Sequence, residues 1–142
     1  MIYELILRFK FIMEQEKIEI KEEPDYKVYY ETETATIHFE GTVRLIGANA
    51  YVHFTELLDK VLTLESTFPL TADQKPLITV DLKQLNSLNS SGITTLAKFV
   101  IKVNQKGNIE MVVQGSKQVS WQKRSLINLK RLMPRLQLEW EE

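Results

Sequence analysis

The sequence predicts an α/β domain built on one mixed β-sheet. Two observations carry that expectation. Segments with apolar residues at every second position trade places with segments whose apolar residues recur every three or four. The resulting order is β-β-α-β-α-β-α-β, in which helices join most strands and so make them parallel neighbours. The first two strands lie close enough in sequence to pair as an antiparallel hairpin.

Each element has its own signal. Residues 27–31 read as a short strand ending near Thr32-Glu33-Thr34. Then Ala35, Ile37, Phe39, Val43 and Leu45 alternate with Thr36, His38, Glu40, Thr42 and Arg44, the mark of a half-buried strand. Gly41 within it predicts a bulge or bend. From Asn49 to Leu64 the spacing turns helical, with Phe54, Leu57, Leu58 and Val61 on one face. Pro69 and Pro76 mark residues 65–76 as a loop. Residues 77–82 form the next strand, and a polar connection leads to Asn89-Ser90-Ser91-Gly92. A helix over 90–105 follows, with Ile93, Leu96, Ala97, Val100 and Val103 as its core face, and Lys106-Gly107 stops it. Phe99 and Ile101 widen that apolar arc; neighbouring helices cover its edges, or apolar surface stays free beside Ser90. Residues 109–113 are a strand, and 118–133 a helix ending before Pro134. Leu136, Leu138 and Trp140 alternate as the last strand.

Composition narrows the function. Hydrophobic residues make up 44 % of 142, enough for a buried core. With no cysteine, a disulfide scaffold and any cysteine-based metal or redox centre are excluded. His38 and His53 are the sole histidines and read as surface or packing residues. Asp59, Asp73 and Asp81 do not cluster, and neither a G-x-S-x-G elbow nor a phosphate-binding glycine loop is present. No catalytic, cofactor-binding or metal site is therefore expected. The net charge of -1 gives no general pull toward nucleic acid or anionic lipid.

Charge is unevenly spread. Eight acids fall within residues 14–33, whereas 111–138 hold six basic residues and no acid. These read as two solvated faces. The first thirteen residues are strongly apolar but too short to span a bilayer and ill-suited to be a signal peptide. An added strand or helix, an interfacial segment and an upstream extension with Met13 as alternative start are the readings they allow. Residues 1–25 are accordingly set apart as an N-terminal extension, and 26–142 as the domain.

The turn at Asn89-Ser90-Ser91-Gly92 is the most informative feature. The first amides of a helix lack internal partners. Asn89 or Ser90 can cap them, and Gly92 allows a close turn. A phosphate there would be tolerated by the helix dipole and free amides. With Glu40-Gly41, Val43, Leu45, Val80-Asp81-Leu82, Ser90-Ser91-Gly92-Ile93 and Gly107, the chain from about 26 to 140 resembles the STAS domain family of anti-sigma-factor antagonists. Gly115-Ser116, Ser120-Trp121-Gln122 and Arg131-Leu132-Met133-Pro134 look most like a cyanobacterial-type branch of it.

The resemblance implies a STAS-like fold and a cytoplasmic regulatory protein rather than an enzyme. It implies phosphorylation at Ser90 or Ser91, and docking over Asn89, Gly92, Thr94, Thr95 and Lys98. The implied partners are proteins: a serine kinase or anti-sigma-like factor, and a phosphatase. The family usually carries aspartate where this chain has Asn89. Two alternatives stay open: a scaffold of the same fold whose serines only cap, and a binder of nucleic acid or anionic membrane through basic residues 117–135. Neither nucleic acid nor membrane is expected as a partner.

Overall fold

The computed structural model describes residues 2–6, 19–20 and 25–142. A single sheet runs in the order β1-β2-β3-β4-β5-β6. Its strands are β1 (Glu19–Ile20), β2 (Tyr26–Glu31), β3 (Thr36–Val43), β4 (Leu77–Leu88), β5 (Glu110–Ser116) and β6 (Gln137–Glu141). The first two pairings are antiparallel and the other three parallel. Residues 2–6 form a short exposed helix, α1. The helices of the domain are α2 (Val52–Leu62), α3 (Ser90–Lys106) and α4 (Ser120–Leu132). The predicted order holds, and the sheet also reaches into the segment set apart as an extension, where β1 pairs with β2. Met13 lies outside the described residues. No described helix is long and apolar enough to cross a membrane.

The local signals act as expected. Gly107 ends α3 in the left-handed conformation, φ 76°. Met133 leaves α4 extended, as the residue before a proline must. Gly41 has φ 91°, and a side chain there would strike the Asp25 carbonyl. One face of the sheet packs with α2, α3 and α4 into a continuous core that includes Tyr30, Ile37, Leu58, Val80, Met111 and Leu126. The opposite side carries a polar row, Tyr29, His38, Asp81, Gln114 and Glu139, in matched register across five strands.

One expectation is corrected. The polar connection after residue 82 is strand, and β4 runs on to Leu88. Its register against β3 slips between His38 and Glu40 and again between Gly41 and Thr42, each time with an extra residue in β4. These bulges break the two-residue alternation. Leu82 and Leu85 are both fully buried although three apart, which a straight strand would not allow. Pairing of β4 with β5 stops at Asp81. Beyond that point α4 supplies the missing donors. Gln122 Nε2 donates to the carbonyls of Leu82 (2.6 Å) and Leu85 (3.0 Å), and Trp121 Nε1 to Leu85 (3.1 Å). Gln122 Oε1 accepts from the Ser116 amide at 2.7 Å. The Gln122 side chain is completely buried.

Two predictions follow from this packing. Gln122→Ala and the similarly sized Gln122→Met both strand buried backbone groups, each costing about 1–3 kcal/mol. Both should lose roughly 3 kcal/mol or more in urea unfolding; a Met variant as stable as wild type would show that Gln122 only fills space. Tyr30 is buried, and its hydroxyl has no partner among the described residues. Burial pushes its phenol up to about 12. The folded state therefore keeps this proton between pH 10 and about 12 while the unfolded chain loses it, so stability falls across that window. Tyr30→Phe should match or exceed wild type at pH 7 and lose less stability from pH 10 to 12.

Candidate functional site

The turn between β4 and α3 sits at the carboxyl end of the parallel strands. Asn89 is the N-cap; its Oδ1 accepts from the Gly92 amide at 3.1 Å. The choice between Asn89 and Ser90 is thus settled for Asn89. The same side chain does two further things. Its Nδ2 donates to the Leu45 carbonyl at 2.7 Å, and its Oδ1 accepts from the Tyr51 hydroxyl. The Leu45 amide in turn donates to the Tyr51 oxygen at 3.3 Å. Leu45, Tyr51 and Asn89 therefore close a ring of hydrogen bonds that ties the loop after β3 to the mouth of α3. Burial raises the Tyr51 phenol above its ordinary value, against the opposing effect of its hydrogen bonds with Leu45 and Asn89. An aspartate at 89 could cap but could not donate to Leu45 when ionised. The asparagine, which departs from the aspartate usual in the family the sequence resembles, thus has a structural use.

The expected site residues divide by burial. Ser90, Ser91, Thr94 and Lys98 are exposed, and Thr95 is half-buried. Ser90, Thr94 and Lys98 stand four residues apart on one helix face. The threonine hydroxyls are used internally: Thr94 donates to the Ser90 carbonyl and Thr95 to that of Ser91, both at 2.9 Å. Gly92 must be removed from the docking surface. It is buried, and a Cβ there would lie 2.2 Å from Leu88 Cδ1 and 3.0 Å from the Tyr51 hydroxyl oxygen. Its role is close packing of α3 on β4. Beneath the turn, Phe39, Val43, Tyr51, Phe54, Leu88 and Leu96 line a crevice of about 10 Å³, room for one water and not for a ligand.

The wide apolar arc of α3 resolves differently from either expected form. Phe99 turns inward and is buried, while Ile93 and Ala97 are only half-buried. Ile101 remains part-exposed, but three turns along the helix from Ser90. Ile46, next to Leu45 on the loop that Asn89 holds, is itself exposed.

Some of the basic residues 117–135 are engaged in local bonds. Lys117 pairs with Glu142 (2.6 Å), Lys130 donates to the Leu136 carbonyl, and Arg135 donates to Asn104 and the Ile109 carbonyl. Lys123, Arg124 and Arg131 remain exposed on α4. His53 is a surface residue near Glu56. His38 is more engaged than its sequence context suggests: it stacks on Tyr29, and its Nδ1 lies 2.8 Å from Asp81 Oδ2. The parallel register of β3 on β4 brings this pair together, and no local signal announces it.

No family model and no curated protein matches the sequence. The fold has a solved counterpart. It is similar to that of SiaC, seen in the crystal structure of the diguanylate cyclase SiaD in complex with its activator SiaC from Pseudomonas aeruginosa. The match has a TM-score of 0.61 at 10% identity and covers 87% of this chain and 99% of that chain. It supports a STAS-like fold.

The hydrogen-bond ring sets an order of stability. Asn89→Asp keeps the cap but turns a carboxylate toward the Leu45 carbonyl, and should cost about 1–2 kcal/mol at pH 7. Asn89→Ala also loses the cap, worth about 0.5–2 kcal/mol, and should be less stable still. Denaturant titrations of the two variants check this; an Asp variant at least as stable as wild type would show that the Leu45 bond contributes nothing.

Proposed function

We propose that this protein is a regulatory module that works by docking a protein partner around the Ser90 turn, with Ser90 as a phosphorylation switch. The observation that carries the reading is the division of labour at the turn. Asn89 makes the capping bonds, and Ser90 and Ser91 beside it are exposed residues that do not serve as the cap. A serine free of structural duty can be modified without unfolding the domain. SiaC, which shares the fold, acts in a complex as an activator of another protein; docking is the part of that behaviour carried over here.

A phosphate on Ser90 would add about -1.5 to -2 charges near pH 7. At the first residue of α3, the helix dipole offsets that charge. The fold should stand, and the effect would fall on whatever docks at the surface. The proposed modifying enzymes are a serine kinase of the anti-sigma type and an opposing phosphatase, acting in the cytoplasm.

Ser90→Ala should change stability by less than about 0.5 kcal/mol, as for an ordinary surface site. Ser90→Asp should be equal or more stable, by about 0.3–1 kcal/mol. Intact-mass analysis of protein from its native cells should show one phosphate, mapped to Ser90 ahead of Ser91. Partner binding should survive Ser90→Ala and weaken in Ser90→Asp. Protein that never carries a phosphate at either serine would leave a docking scaffold without a switch. Equal partner binding by all three proteins would remove Ser90 from the docking face.

A further inference from the structure

The first turn of α3 is held by polar bonds more than by packing. Ser90 and Ser91 are exposed, and Ile93 is only half-buried. Gly92 is buried but brings only backbone to its contact with Leu88. Leu96 is the first large side chain of the helix to be buried. Beneath the turn lies the crevice of about 10 Å³, between Gly92, Thr95, Tyr51 and Leu88. The apolar burial that ties the rest of α3 to the sheet, through Leu96, Phe99, Val100 and Val103, therefore adds little here. Segments with few buried apolar contacts open locally, at a fraction of the free energy of global unfolding.

The ring at Asn89 is what keeps this turn closed. Opening the turn breaks the bond from the Gly92 amide to Asn89 Oδ1 (3.1 Å) and that from the Ile93 amide to the Asn89 carbonyl (3.0 Å). The same Asn89 side chain bonds Leu45 and Tyr51, and the Leu45 amide donates to the Tyr51 hydroxyl. Tyr51 is the fixed end. It is buried where α2 begins, with its ring centre 5.5 Å from that of Phe54. The turn and the loop after β3 thus share one anchor, a single hydroxyl bonded to both.

We propose that the Tyr51 hydroxyl is a latch: it sets how often the first turn of α3 and the loop at Leu45 open together, and Ser90 is phosphorylated from the open form. Phosphorylation rests on the switch reading above; the latch itself does not. An exposed serine is not yet within a kinase's reach. The kinase must bring a base to the hydroxyl and place the terminal phosphorus of ATP in line with it. Ser90 lies between Asn89, whose amide bonds the Val43 carbonyl, and a formed helix, so the closed backbone restricts that approach. In the open form the Ser90 hydroxyl gives its proton to the kinase's base. The bond from its Oγ to the γ-phosphorus forms as the bond to the departing ADP breaks.

Hydrogen exchange, measured residue by residue on the native full chain, reads the latch without a kinase. The amides of Leu45, Gly92 and Ile93 should be protected at least tenfold less than those of Val100 and Val103, and low urea should not change their exchange, because a local opening exposes little surface. Tyr51→Phe keeps the buried ring and removes the hydroxyl oxygen. It should speed Leu45, Gly92 and Ile93 by one common factor of at least threefold. Ile109→Val weakens the core at the opposite end of the parallel strands. It should speed Val100 and Val103 and leave the other three amides unchanged. Asn89→Ser keeps a cap but lets go of Leu45, and tests the ring even if the Phe variant does not fold: Leu45 should speed more than Gly92.

A broad-specificity serine kinase with ATP then reads the gate. The rate at Ser90 should rise in Tyr51→Phe by the same factor as the exchange of Gly92, with exposed Ser66 as an unchanged internal control. Protection of Leu45, Gly92 and Ile93 equal to that of the core, or a Tyr51→Phe protein that exchanges like wild type, overturns the latch and leaves the docking reading standing. Faster opening with an unchanged rate at Ser90 overturns the gate. No phosphate at Ser90 in either protein, with exchange as expected, overturns the switch reading and upholds the latch alone.

Discussion

Two backbone carbonyls, those of Leu82 and Leu85, set the geometry on which the turn between β4 and α3 depends. They lie where β4 has left its ladder with β5 but still pairs with β3. Buried and unpaired, they would cost about 1–3 kcal/mol each. Gln122 and Trp121 meet them from α4, and Gln122 at the same time holds the end of β5 through Ser116. Gly115 is the room this needs: a side chain there would come within 2.9 Å of Gln122 Oε1. With those carbonyls satisfied, β4 can bulge twice, keep Leu82 and Leu85 in the core, and deliver Asn89 to the mouth of α3.

From Asn89 the ordering passes outward. One side chain caps a helix, accepts from a phenol and donates to a carbonyl forty-four residues earlier in the chain. The turn and the loop after β3 are thereby one rigid unit, although they belong to different strands. Under the docking proposal, rigidity at this place matters. A docking surface assembled from fixed parts loses less entropy on association than one assembled from loose loops. The serines are spared because asparagine does the holding, so a chemical change at Ser90 alters charge without loosening the fold.

Much of the fold was legible in the sequence because its signals are local. Period-2 and period-3.6 patterns located every strand and helix of the domain, and Gly107 and Pro134 marked two helix ends by rules that involve only a few neighbouring residues. The turn at Asn89 to Gly92 was visible for the same reason: a polar run before an apolar helix reads as a cap wherever it occurs.

What the sequence by itself could not determine lies in contacts between distant residues. The extension of β4 was hidden because bulges convert alternation into leucines three apart, at 82, 85 and 88, which resembles no regular strand. Gln122 looked like any polar residue of a helix, since only the tertiary structure places backbone carbonyls over it. His38 and Asp81 met through a parallel register that no local pattern encodes. The inward turn of Phe99, the burial of Gly92 and the exposure of Ile46 were likewise decided by which elements pack against which. Local sequence determines where the chain bends and which residues prefer the core; the long-range pairing of strands and helices decides which polar groups find partners and which side chains are left for something else to bind.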